Sequence, residues 1–86
     1  MKIYFHKDFL KKVKKLQSGE KKKLKKRLSF FLENEFDPVL NNHPLRGGYN
    51  GYRSINITGD LRAIYKRKSS QKVMFVVLGT HSDLYS

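Results

Sequence analysis

The chain of 86 residues has no cysteine, no tryptophan and two prolines, and it sets seven acidic residues against nineteen lysines and arginines. Without cysteine there is neither a disulfide framework nor a thiolate metal site, so stability has to come from a packed core. A reducing compartment is compatible, and the cytoplasm is the expected location. No apolar run approaches the roughly 20 residues of a membrane span. Met1-Lys2-Ile3-Tyr4-Phe5-His6-Lys7-Asp8 holds no apolar stretch of signal-peptide length, so neither membrane insertion nor export is expected. Gly47-Gly48 and Gly51 lack the following helix that a phosphate-binding loop or dinucleotide fingerprint requires. His6, His43 and His81 are too dispersed to suggest a metal site. No cofactor and no metal are expected.

What is present is a core's worth of apolar residues and a large excess of positive charge. Hydrophobic residues make up 38%, with six Phe and five Tyr, which suffices for one core and is too much for a disordered chain. At this length a second core would be too small to hold, so residues 1–86 are expected to form a single domain. The formal net charge of +12 attracts polyanions, phosphate backbones and acidic proteins above all. Eleven of the nineteen basic residues lie between Lys7 and Arg27 against only Asp8 and Glu20, a local balance of +9.

Ile3 and Phe5 alternate with Tyr4 and His6, which predicts a short first strand. Leu10, Val13 and Leu16 have helical spacing, as do Leu24, Leu28, Phe31 and Leu32 after a break at Ser18 or Gly19. They predict a two-helix hairpin whose second helix runs from about residue 20 to about residue 35. Asp37-Pro38 ends it, and the stretch from Asn41 to Gly51 is rich in turn formers. Tyr52 to Ile57 alternates, Thr58-Gly59-Asp60 turns, Leu61 to Lys66 returns, and Val73 to Leu78 is an apolar run of the buried kind. The expectation is an α+β fold: a short N-terminal strand, a two-helix hairpin, then a three- or four-stranded antiparallel sheet with one face covered by helices and the other free for a ligand.

His43, Arg53, Asp60, Arg62 and His81 all fall in or beside that sheet. Cleavage of RNA through the ribose 2′-hydroxyl needs a base for its proton, a cation for the phosphorane charge and an acid for the leaving 5′-oxygen. Histidine and arginine supply all three. Each residue also has a plain structural alternative. His81 can cap a strand end, His43 can be a solvated loop residue, Asp60 can bond its own turn, and the arginines can be exposed sheet residues. His6 has only strand alternation behind it and is assigned no function. The lysine run is partly a solvated helix face, turned away from the Leu24, Leu28 and Leu32 stripe.

The segments His43-Pro44-Leu45-Arg46-Gly47, Gly51-Tyr52-Arg53, Gly59-Asp60-Leu61-Arg62-Ala63-Ile64-Tyr65 and Gly79-Thr80-His81-Ser82-Asp83-Leu84-Tyr85 together resemble the RelE/ParE toxin superfamily, and within it the YafQ-like toxins. The order and spacing agree from residue 43 onward, while the helical half agrees in layout and charge. The resemblance implies a toxin of a type II toxin-antitoxin system, a ribosome-dependent messenger RNA endoribonuclease. Its implied partners are a cognate acidic antitoxin, the ribosome and messenger RNA, with no membrane and no small-molecule cofactor. Carried over, His43 is the expected base and His81 the expected acid, with Arg62 stabilising the transition state and Asp60 in support. Arg46, Arg53, Asn56, Tyr85, Lys22 and Lys26 are the expected RNA contacts.

Two departures bear on this reading. Asn56 stands where YafQ-like proteins often carry a further histidine, and asparagine cannot shuttle a proton, although it can hydrogen-bond phosphate or ribose. Leu61 replaces a tryptophan and removes a stacking surface. The alternatives are a ParE-like toxin that inhibits a topoisomerase without cutting RNA, and a catalytically decayed protein that binds RNA or an antitoxin.

Overall fold

The computed structural model describes residues 1–85, and of Tyr85 the backbone alone. Strand β1 (Lys2–Phe5) leads into helix α1 (Lys7–Lys14) through His6, whose Nδ1 accepts the Asp8 backbone N–H at 3.1 Å and so caps the helix. Asp8 in the first turn and Lys11, Lys12 and Lys14 in the last suit the helix dipole. Of the predicted stripe, Val13 and Leu16 pack against the core, but Leu10 is 45% exposed and Phe9, fully buried, takes its place. The larger aromatic ring takes the core position.

Helix α2 (Ser18–Glu33) starts and ends about two residues before its predicted bounds. The Gln17 backbone N–H donates to Glu20 Oε1 at 3.1 Å and fixes its start. Leu24 and Phe31 are buried, Leu28 packs partly against the core, and Leu32 is exposed. After α2 a 3-10 turn (Pro38–Leu40) buries Leu40 and ends at Asn41 in the left-handed region, which asparagine tolerates.

Four further strands complete the sheet: β2 (His43–Pro44), β3 (Arg53–Asn56), β4 (Leu61–Ser69) and β5 (Lys72–Thr80). A short helix α3 (His81–Tyr85) follows. The strand order is β1-β5-β4-β3-β2. The sheet therefore has five strands and is mixed, where three or four antiparallel ones were predicted, because β1 pairs in parallel with β5, Lys2 opposite Lys72 and Phe5 opposite Phe75. Nothing local in the sequence marks a parallel partner so far along the chain. The remaining pairs are antiparallel, as the alternation and turns predict.

Along β4, Leu61, Ala63 and Tyr65 join the core with Phe9, Leu24, Phe31, Ile55, Ile57, Val73, Phe75 and Leu78. The helices cover this face, and Phe31, Tyr65 and Phe75 meet there at ring separations of 5.0 to 5.4 Å. Arg62, Ile64 and Lys66 alternate onto the opposite face. Ile64 pairs with Val77 and Tyr65 with Phe75, so Val76 is the extra residue of a bulge that resets the phase of β5. The opposite face is less open than predicted. Ser54 and Ile64 on it are fully buried, and Gly48, Tyr49 and Tyr52 line a cleft over it together with Lys66, Val76 and Val77. No helix among the described residues is long and apolar enough to cross a membrane.

Candidate active site

Strand register arranges the expected site residues on the face away from the helices. His43 pairs with Ser54, Ser54 with Ile64 and Ile64 with Val77, forming one row across four strands. Two residues further on, a step of about 7 Å, Asn56 pairs with Arg62 and Arg62 with Gly79. Beyond that row the turn Thr58-Gly59-Asp60 closes β3 onto β4. There the His81 backbone N–H donates to the Asp60 carbonyl at 2.9 Å, tying the start of α3 to the turn. Thr58 Oγ1 accepts from the Leu61 N–H at 3.0 Å and the Asp60 N–H at 3.3 Å and stiffens the same turn.

At His43, Nδ1 lies 2.8 Å from the Asn41 carbonyl oxygen. A carbonyl only accepts, so Nδ1 carries the proton, and Nε2 is the basic nitrogen of the neutral ring. The Arg62 guanidinium reaches back along β4: Nη1 donates to the carbonyls of Thr58 (3.1 Å) and Leu61 (3.3 Å), and Nη2 to that of Gly59 (3.0 Å). Three hydrogen bonds from two nitrogens thus hold the head group at the turn, and the fork keeps further N–H groups for an anion. Between these groups lie two buried polar atoms with no hydrogen-bond partner among the described residues, Ser54 Oγ and Asn56 Oδ1. Gly79 lets α3 fold back closely, since a Cβ there would lie 3.2 Å from Leu84 Cδ2.

Arg53 does not join this face. Paired with Tyr65, it shares the helix side, where its Nε donates to Asn42 Oδ1 at 2.7 Å and its guanidinium carbon sits 5.2 Å from the centre of the Phe36 ring. Asn42 Nδ2 in turn donates to the Tyr65 hydroxyl at 2.8 Å and to the Glu35 carbonyl at 3.0 Å. The Tyr65 hydroxyl donates to Glu35 Oε2 at 2.5 Å, and Arg67 pairs with the same carboxylate. Burial, and then the bond to Glu35, pushes the Tyr65 phenol well above the ordinary tyrosine range. This network stitches the end of α2 to β3 and β4.

Arg46 is exposed just ahead of the 3-10 turn at Gly47. Lys22 and Lys26 are exposed on α2, in the layer behind the sheet. The Tyr85 side chain, an expected RNA contact, lies outside the described residues. Among the described residues no group of three His, Asp or Glu is placed to hold a metal ion. Sequence reasoning missed a neighbouring cleft of about 310 Å³ lined by His6, Asp8, Tyr49, Tyr52 and Lys66. The Gly-Tyr-Asn-Gly-Tyr spacing in the loop was a signal that was there to be read.

Residues 1–86 match the profile of the bacterial toxin of type II toxin-antitoxin system, YafQ. Among solved structures, the chain is similar to YafQ from E. coli strain BL21(DE3), at 28% identity and a TM-score of 0.81 over 99% of this chain and 98% of that one. It is equally similar to the toxin in the E. coli DinJ-YafQ toxin-antitoxin complex, at 29% identity and a TM-score of 0.78 over 99% and 97%. The YoeB/ParE toxin from Agrobacterium tumefaciens shares the fold at 21% identity and a TM-score of 0.74 over 94% and 99%. No curated protein sequence gives a significant match.

Proposed function

Since this chain belongs to the YafQ family of bacterial toxins of type II toxin-antitoxin systems, we propose that it is an endoribonuclease. It cleaves messenger RNA on the ribosome through the ribose 2′-hydroxyl, in the cytoplasm. The observation that supports this reading best is the gathering of His43, Asn56 and Arg62 on one sheet face, with Asp60 and His81 joined by a backbone hydrogen bond at its end. Residues far apart in the chain thereby share one surface that includes a base, a cation and an acid.

In this reading His43 Nε2 takes the proton of the 2′-hydroxyl. The 2′-oxygen attacks the adjacent phosphorus, the bond from phosphorus to the 5′-oxygen breaks, and a 2′,3′-cyclic phosphate remains. His81 delivers the proton that the departing 5′-oxygen needs. The N–H groups of Arg62 that the turn does not engage face the charge that builds on the phosphorane oxygens. The Asn56 side-chain amide donates from Nδ2 to a phosphate or ribose oxygen, a role that requires no proton shuttle. Asp60 holds the turn and the start of α3 in register. Exposed lysines such as Lys22 and Lys26, together with Arg46, bind ribosomal phosphates without regard to sequence.

The partner that restrains the toxin is a cognate antitoxin of acidic character. The solved DinJ-YafQ complex is a toxin-antitoxin pair, and a net charge of +12 favours an acidic polypeptide.

Induced expression in bacteria of wild type and His81→Ala tests the reading, with growth and mapped messenger RNA ends as readouts. The alanine variant keeps the backbone bond to Asp60, and an unchanged thermal midpoint checks that it still folds. Growth arrest with new cuts, both lost in His81→Ala, is the expected result. Arrest without cuts, equal in the two proteins, replaces it with topoisomerase inhibition.

A further inference from the structure

The cleft that holds Tyr49, Tyr52, Lys66, His6 and Asp8 belongs to none of the roles assigned above, yet it opens on the same face of the sheet. Lys66 lies two residues along β4 from Ile64, the residue that shares a row with His43. The cleft therefore begins about 7 Å beyond that row, on the side away from Arg62. Its volume of about 310 Å³ stands at the lower end of small-ligand pockets, which run from about 300 to 1,000 Å³. That admits one ring system and excludes a stretch of oligonucleotide.

Its chemistry is specific. Tyr49 and Tyr52 are half-buried and meet edge to face, with ring centroids 6.1 Å apart. Lys66 Nζ is held 5.7 Å from the centre of the Tyr52 ring. Val76 and Val77 add apolar surface. On the N-terminal side, His6 Nδ1 is occupied as the cap acceptor for the Asp8 N–H, so the proton of the neutral ring resides on Nε2, a hydrogen-bond donor. The Asp8 carboxylate is an acceptor and is two-thirds exposed, at 67%. The cleft thus offers an aromatic platform, a cation, one donor and one anionic acceptor.

We propose that this cleft receives one unpaired base of the RNA substrate, stacked on the tyrosines and read at its edge by Asp8 and His6, with preference for a base bearing an exocyclic amino group. The inference rests on the reading of the protein as one that acts on RNA. A phosphate is disfavoured in the cleft because Asp8 repels it, and an acidic peptide side chain is disfavoured for the same reason. An uncharged ring that donates from an amino group and accepts from an adjacent nitrogen or oxygen satisfies both Asp8 and His6. Stacking on an aromatic ring is tolerant of sequence, so the edge contacts supply the choice. Cytosine and uracil are the sharpest comparison, since they are alike in size and differ at the group that would face the carboxylate. The base bound here lies about one or two nucleotides from the phosphate that is cut.

The test is binding of fluorescent 2′-O-methyl oligocytidine and oligouridine heptamers, which lack the nucleophile and cannot be cleaved, to wild type, Asp8→Ala and Tyr49→Leu. The wild type is expected to bind the cytidine heptamer about tenfold tighter than the uridine one. Asp8→Ala should bring that ratio close to one while total affinity holds or rises, because a negative charge has left the RNA surface. Tyr49→Leu should weaken both heptamers about tenfold and keep the ratio. Equal binding of the two heptamers by the wild type overturns the proposal, as does a preference that persists in Asp8→Ala. Because the probes are uncleavable, a cytidine preference in a protein that cuts no RNA would leave the cleft standing and remove the nuclease reading. Cleavage with no base preference would do the reverse.

Discussion

The tautomer of His43 is set by one backbone carbonyl, that of Asn41, and this makes Nε2 the proton acceptor. His43→Ala is expected to lower the rate of RNA cleavage by about 10²- to 10⁴-fold, measured on a defined messenger with purified ribosomes, with the thermal midpoint unchanged. At Ser54 and Asn56 function and stability pull apart. Each has a buried polar atom with no partner among the described residues, and such an atom costs on the order of 1–3 kcal/mol. Asn56→Ala should therefore leave the urea midpoint unchanged or raised while cleavage falls about tenfold; a lowered midpoint would mean that the amide serves the fold. Tyr65 gives a prediction in pH. Its phenol is held neutral in the folded protein, above the unfolded value near 10, so the stability that this confers is complete below pH 10 and is lost as pH rises beyond it. Tyr65→Phe should be less stable than wild type by about 1–2 kcal/mol at pH 7, and the gap should narrow in urea titrations above pH 10. The histidines and the turn aspartate are legible from the chain because their neighbours form motifs. The side taken by Arg53 is legible as well, since period-two alternation sets it with Ile55 and Ile57 on the core side, in agreement with its register opposite Tyr65.

At the scale of elements, period-two alternation gives β3 and β4 and the helical spacing gives both helices. What it leaves out are features set by partners distant in sequence: the parallel seat of β1 on β5, the bulge at Val76, and the choice of Phe9 over Leu10 as the buried residue of α1. Phe9 stacks with Phe5 at 5.4 Å and meets Phe75 at 5.7 Å. Phe9→Ala is expected to cost about 3–5 kcal/mol and Leu10→Ala under about 1 kcal/mol, a contrast that chemical denaturation reads directly. The joint between β5 and α3 couples fold to site. Gly79→Val favours the strand by propensity but drives a side chain into Leu84, 3.2 Å away already at Cβ. It should displace the helix that begins at His81 and reduce cleavage about tenfold or more, with a far smaller effect on the thermal midpoint. Equal losses in activity and stability would show that α3 merely packs.

The molecule as a whole separates attraction from chemistry. Most of its positive charge lies on the helical layer, and the candidate catalytic groups lie on the far face of the sheet. If about four lysines or arginines neutralise phosphates, single-stranded RNA binding should weaken roughly fifty-fold for a fourfold rise in salt. Replacing both Lys22 and Lys26 by alanine should flatten that dependence and leave cleavage of saturating RNA intact. The architecture also has a consequence for the birth of the protein. Lys2 pairs with Lys72 and Phe5 with Phe75, so a single ladder encloses almost the entire chain, and loops of that length close late. A nascent chain that has not yet emerged past β5 has no partner for its first strand, no row beside Arg62 and no His81. On the proposed reading, a chain still threading out of the ribosome before β5 emerges has no assembled site with which to act on translation.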